Sequence, residues 1–434
     1  MDRTQPHLSI GNRSRRSPRR GRLRPAVAAT ALAALAPAAP SFGQQIITEE
    51  PQLLEVASGY ALSAVLGTDE RTAQSFEVVP TAGIEHDSNV FRLRDAVIDQ
   101  FEAGELPESV PIDSVDDRFV QSGVGLRYAL VSDAGRMTLV SFAARRFSHV
   151  ANDVRDFERY SGSFLQDIGT DRPASPPAAE EVTPLDYARE SVAWAGRSRA
   201  VARFSSVPER FVGRLFDTVL RRRVPVDVRQ TTYTVEYQQR LHGRPAYRLR
   251  LDGHFGQDRV HYPEAFTDRD AATTRAGATL NYLRLRAPGY LEAAFSYERS
   301  GRRQLEEAAD EFSWNRDLFA VSTRFNWYRR GGASSRILRT PSSLAAQLAY
   351  VRTELRAEQP LATSLERTNT AWRLEGSFTH PFSNDLVARL RAGRVIYSAD
   401  LEPIADEETP DASDVARWFI GVEVALGFRW KIGS

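Results

Sequence analysis

The chain has 434 residues, 42% of them apolar and 26% charged, and contains no Cys, which excludes a disulfide framework and any thiolate metal site. Residues 1–43 hold eight Arg against the single acid Asp2, so the remainder carries 49 basic and 55 acidic residues, a net of −6. No clustered basic face stands out as a nucleic-acid footprint, and no apolar run reaches the ~20 residues of a transmembrane helix.

Met1–Arg24 is polar and basic, Ala26–Ala36 is a short apolar run, and Pro37–Gly43 ends with Ser41 and Gly43 spaced for cleavage before Gln44. This three-part pattern is that of a secretory signal peptide over residues 1–43. Arg19-Arg20 suggests a twin-arginine signal, but Arg22 stands where an apolar residue is wanted, so the general secretory route is expected. The long basic region also admits a start at a downstream codon. Residues 44–75 then read as a periplasmic arm, with Leu53, Leu54, Val56, Ala57, Tyr60, Ala61 and Val65 at helical spacing.

From residue 76 the dominant period is two. Strands are expected at 76–91, 118–131, 137–150, 156–168, 191–204, 226–241, 247–260, 274–285, 290–299, 318–329, 343–355, 369–379, 386–399 and 416–431. The last is the clearest. Trp418, Ile420, Val422, Val424, Leu426, Phe428 and Trp430 share one face, and Arg417, Phe419, Gly421, Glu423, Ala425, Gly427, Arg429 and Lys431, mostly charged or small, fall on the other. Tryptophan at both ends of an apolar face suits two membrane interfaces. Short turns follow the second, sixth, eighth, tenth and twelfth strands, and longer polar loops follow the first, fifth, seventh, ninth, eleventh and thirteenth. That alternation is expected of short periplasmic turns and long outer loops. The expected fold is an all-β, antiparallel up-and-down transmembrane β-barrel over residues 76–431, with about fourteen strands. The region 169–225 fits least well: 169–184 is long and Pro-rich for a turn, and 208–223 has helical spacing. A different assignment there gives twelve or sixteen strands.

Two segments carry a family resemblance. Gly83-Ile-Glu-His-Asp-Ser-Asn-Val-Phe-Arg92 resembles the opening strand of the beta-barrel porin-2 family. The closing segment from Glu423 to Trp430 resembles the signal read by the barrel assembly machinery, carried by Glu423, Ala425, Phe428 and Trp430, with Ala425 where Gly is usual. The resemblance implies an outer-membrane protein of a Gram-negative bacterium. It also implies the barrel assembly machinery as a partner and, by analogy, components of exopolysaccharide export. Outer-membrane lipid and lipopolysaccharide are the surroundings such a barrel meets.

Alternation sends Arg127, Arg248, Arg250, Arg275, Arg324, Arg373, Arg389, Arg391 and Arg429 into the lumen, together with Glu236, Asp252, Glu292, Glu298, Glu375 and Glu423. Such a lining reads either as a filled ion-pair lattice or as a charged path. The expected function is a passive hydrophilic path for an exopolysaccharide or small anionic solutes, without catalysis or cofactor. The alternatives are a non-conducting envelope scaffold and a membrane-embedded hydrolase. For the hydrolase, His86 with Asp87 and Ser88 is the nearest cluster. The acid-rich segments 95–117 and 402–414 lack the ligand spacing of a calcium loop.

Overall fold

The computed structural model describes residues 73–90, 95–104, 113–132, 136–168, 183–195, 197–217, 222–244, 246–305, 313–329, 341–356, 367–383, 385–400 and 415–431. The expected signal peptide and nearly all of the expected arm lie outside the described residues. So do the segment 402–414 and parts of 95–117.

Fourteen antiparallel staves close on themselves as a barrel. In chain order they are β1 (Ala73–Asp87), β2 (Asp117–Val131), β3 (Met137–His149), β4 (Phe157–Asp167), β5 (Arg199–Asp217), β6 (Arg222–Arg244) and β7 (Tyr247–His261). Then follow β8 (Ala271–Arg286), β9 (Gly289–Gln304), β10 (Ser313–Trp327), β11 (Ser342–Arg356), β12 (Arg367–Pro381) and β13 (Leu386–Asp400). The last stave is split into β14 (Val415–Leu426) and β15 (Phe428–Lys431). Two helices, α1 (Asp95–Glu102) and α2 (Pro184–Ala195), lie in connections. Every stave pairs with its sequence neighbours, and β1 closes the ring by pairing with both β14 and β15. Closure leaves no unpaired sheet edge, the requirement for strands surrounded by hydrocarbon.

The last stave is split at Gly427. The Gly427 amide donates to the Asp385 carbonyl at 2.7 Å. A Cβ at Gly427 would lie 2.9 Å from Glu77 Oε1, so glycine leaves room for an inward carboxylate.

The distribution of side chains is inside-out relative to a water-soluble domain. Outward positions are apolar and exposed on strand after strand, among them Ile84, Phe142, Val235, Phe255, Val321, Leu374 and Val422. Inward positions are small or charged and buried, among them Glu77, Glu85, Arg250, Asp252, Arg316 and Glu375. Trp418 and Trp430 face outward near opposite ends of the closing stave, and Trp430 lies 6.0 Å from Phe76 across the β1–β15 seam. An apolar belt of this extent needs an apolar surrounding.

Three expectations need correction. The fifth strand, expected at 191–204, begins at Arg199 because 184–195 forms α2. Pro184 occupies the first helical turn, where its missing N–H costs nothing. Thr183 and Asp186 form a reciprocal cap before it: Thr183 Oγ1 donates to Asp186 Oδ2 at 2.5 Å, and the Asp186 amide donates back to Thr183 Oγ1 at 3.3 Å. Of the helix expected at 208–223, residues 208–217 and 222–223 are strand, in β5 and β6, and four residues separate the two strands where a longer loop was expected. Register shifts between Val207 and Arg210 and between Phe211 and Gly213 explain the misleading pattern. Two bulges close together break the period of two and imitate helical spacing. Finally, the connection after β10 runs from Tyr328 to Pro341, longer than a tight turn.

Candidate functional site: the charged lumen

The barrel has a turn end, where β2–β3, β6–β7, β8–β9 and β12–β13 are joined tightly, and a loop end opposite. Between them the lumen carries a lattice of ion pairs. Glu77 sits between Arg127 and Arg429, 3.6 Å from each. Arg391 meets Glu85 at 2.5 Å, Arg373 meets Glu375 at 2.6 Å and Arg203 meets Glu236 at 2.5 Å. Arg250 grips Asp252 with two parallel bonds of 2.6 and 2.7 Å, and Asn281 donates to the same carboxylate at 2.7 Å. Arg275 approaches Asp258 at 3.6 Å, and Glu298 takes His254 at 2.8 Å and Arg316 at 3.6 Å.

The expected lumen arginines lie among carboxylates, and Arg429 shares Glu77 with Arg127. Arg127, Arg250, Arg275, Arg373 and Arg391 each have a carboxylate partner. Glu236 and Glu375 are the partners of two arginines, and Glu292 lines the lumen. Arg248 lies at the turn-end rim and donates to the Arg244 carbonyl at 2.6 Å. Arg324 and Arg391 are linked across β10–β13 through Ala345 and Ser377, and Arg389 lies one row nearer the turn end, opposite Glu423.

Sequence reasoning passed over the first strand's contribution. Glu77, Glu85 and Asp87 alternate there and supply the counter-charges for Arg127, Arg391 and Arg417. It placed Phe419 on the inward face of the closing strand but gave it no role; this buried aromatic has Arg373, Arg391 and Arg417 gathered at 5.7, 5.9 and 5.8 Å from its ring. Gly393 and Gly421 make that cluster fit. A Cβ at Gly393 would strike the Phe419 ring, and one at Gly421 would lie 2.9 Å from the Glu85 carboxylate.

A cavity of about 270 Å³ occupies the lumen between two unlike walls. The β4–β9 wall is polar, with Arg203, Thr232, Glu236, Arg250, Asp252 and Glu298. The β10–β13 wall is smaller and more apolar, with Leu318, Ala320, Ala349, Ala371 and Val395 around Gln347 and Arg373.

At the turn end, α2 lies against β7, β8 and β9. Ala188 and Val192 are fully buried there. Ser191 Oγ and Tyr328 Oη are 2.5 Å apart, and Tyr187 stacks on Tyr328 at 5.6 Å. Tyr328 continues the inward positions Arg324 and Asn326, so this contact is on the luminal side. The helix is tethered by Asp167, which is almost wholly buried. It accepts from Arg197 at 2.8 Å, Arg199 at 2.9 Å and the Met137 amide at 3.1 Å. The Thr183 hydroxyl and amide, with help from Arg189, hold the Asp186 carboxyl below the usual carboxylate range.

At the loop end, the Asp87-Ser88-Asn89-Val90 segment acts as a latch. Asp87 accepts from Arg417 at 2.9 Å and from the Asn89 amide at 3.1 Å. Ser88 exchanges backbone and side-chain bonds with Trp418, and Val90 packs with Phe211 and Val154. Asp117 accepts from the Ala151 and Asn152 amides and the Asn152 side chain at 2.8–3.0 Å. Arg155 donates to the Val90 carbonyl at 2.8 Å. Burial pulls its guanidinium down to about 10 against the opposing charge of Asp87.

The His86–Asp87–Ser88 cluster does not assemble as a triad. His86 faces outward and lies 4.7 Å from Trp418, whereas Asp87 faces inward and is held by Arg417. Glu423, Ala425, Phe428 and Trp430 lie along the closing seam, paired with Gly83, Thr81, Val78 and Phe76.

No family model matches the chain, and no curated protein matches it. Solved structures similar in fold include a bacterial polysaccharide outer-membrane secretin, at 8% identity and a TM-score of 0.34, with 83% of this chain and 100% of that one covered. OccAB3 of Acinetobacter baumannii gives 9%, 0.36, 82% and 99%. An anion-selective porin from Comamonas acidovorans gives 11%, 0.33, 82% and 100%.

Proposed function

We propose that this chain is an outer-membrane channel that passes a hydrophilic, largely uncharged solute, with carbohydrate preferred over small anions. The observation that carries this reading is the pairing inside the lumen. An arginine paired with a carboxylate presents a weaker field than a free one, so such pairs lower ion selectivity. They do present a dense set of donors and acceptors to hydroxyl groups. The smaller, more apolar β10–β13 wall suits the C–H faces of a sugar ring, and the polar β4–β9 wall suits its hydroxyls. Export of a sugar polymer fits the same chemistry. Solute exchange from liposomes tests it: neutral mono- and disaccharides should enter faster than similarly sized anions, with a reversal potential near zero in a salt gradient. Strong anion preference would overturn the carbohydrate reading.

One observation favours a second reading, a scaffold with a closed lumen. Helix α2 covers part of the luminal side at the turn end. Absence of any solute exchange by a correctly folded barrel would select it.

A further inference from the structure

The seam strands treat their two ends differently on the outer surface. At the turn end, Trp430 packs with Phe76, and the nearby outward residues are Phe428, Val78, Tyr128 and Leu130, none of them basic. At the loop end, Trp418 packs with His86, and this aromatic pair is flanked by two arginines. Arg394 of β13 lies opposite Trp418, and Arg118 of β2 lies opposite His86. Both arginines are outward-facing and exposed. Neither side chain forms an ion pair or side-chain hydrogen bond among the described residues, in contrast to the paired arginines of the lumen.

We infer that the row Arg394–Trp418–His86–Arg118 is a binding site for the phosphorylated headgroup of a glycolipid in the outer leaflet, of the lipid A type. This rests on reading the barrel as an outer-membrane protein. An arginine beside a hydrocarbon belt is costly unless an anion meets it. Phosphate is the anion available at a lipid headgroup, and the planar guanidinium binds it with two bonds. The row spans three strand spacings, about 14 Å, room for a diphosphorylated disaccharide with one phosphate near each arginine. Trp418 and His86 would lie beneath the sugars, where amphipathic rings favour the membrane interface. Among the described side chains, the turn end of the same strands presents no outward-facing arginine, which matches a site confined to one leaflet.

The test uses the full-length protein extracted from membranes and titrated in detergent with diphosphorylated lipid A, bound lipid being counted by native mass spectrometry. The Arg118→Gln/Arg394→Gln double variant should weaken binding roughly tenfold or more. The Arg284→Gln/Arg286→Gln variant removes two exposed outward charges at the opposite end and should leave binding unchanged. Arg118→Lys/Arg394→Lys keeps the charge, controls for folding, and should fall in between. Equal loss in both Gln variants, no loss in the seam variant, or equal binding and equal loss with phosphatidylglycerol would overturn the proposal. Solute exchange by the seam variant stays at the wild-type rate, so failure here is distinguishable from failure of the channel reading.

Discussion

The two mouths of the barrel use one chemical device for different ends. At the loop end, Asp87 and Asp117 each gather backbone amides and a polar side chain, and so hold the connections to the rim. At the turn end, Asp167 does the same with Arg197, Arg199 and the Met137 amide, but the segment it holds carries a helix that covers the luminal side of β7–β9. A buried carboxylate thus acts as a peg at both ends. The teaching is that control over any path should sit at the turn end, where a peg secures a cover.

The strongest way to break the comparison is to pull the turn-end peg. Asp167→Ala deprives two buried guanidinium groups of the carboxylate they share, which should cost ~3–5 kcal/mol. Loss of heat-modifiable migration, or a much lower unfolding temperature, would show it. An Asp167→Ala barrel as stable as wild type would mean the peg is ornamental. Next in size is steric: Gly421→Leu puts side-chain atoms where the Glu85 carboxylate meets Arg391. A cost of about 1–3 kcal/mol in urea unfolding is expected, with Gly421→Ala milder.

Smaller effects sharpen the account of α2. Ser191→Ala removes the bond to Tyr328 and should cost ~1 kcal/mol or less in global stability. It should also increase protease access to residues 183–195. The smallest effect is a pH response. Asp186 is held below the usual carboxylate range by Thr183, so the cap contributes fully above that range. Its contribution is lost as pH falls through the lowered pKa. Acidification should therefore raise hydrogen exchange in α2, and Thr183→Ala should abolish most of that dependence. An unchanged pH profile in Thr183→Ala would remove the cap from the account.

Most of the barrel was legible because its signal repeats. A lipid-facing position every second residue survives local exceptions, and the tight turns after β2, β6, β8 and β12 supply a second constraint, although the expected turn after β10 and loop after β5 did not hold. The region 184–217 was not legible for two physical reasons. The bulges at Val207–Arg210 and Phe211–Gly213 shift the phase of the pattern. The Thr183-Pro-Leu-Asp186 cap was present in the sequence, but it lies in a connection where only a turn was sought. The lumen was half legible. Alternation sends a side chain inward, but it does not say which carboxylate answers which arginine. Glu85 reaches Arg391 across the whole of β14, over Gly421, a pairing that depends on closure of a ring between the first strand and the last.

The most direct measurement is single-channel conductance in a planar bilayer, comparing wild type with a variant in which residues 183–195 are replaced by a short Gly-Ser turn. The account predicts a small, weakly selective conductance for wild type and a severalfold larger one without α2. Silence from both proteins, each folded and heat-modifiable, would contradict a luminal path. Equal conductance in both would contradict the placing of its control at the turn end.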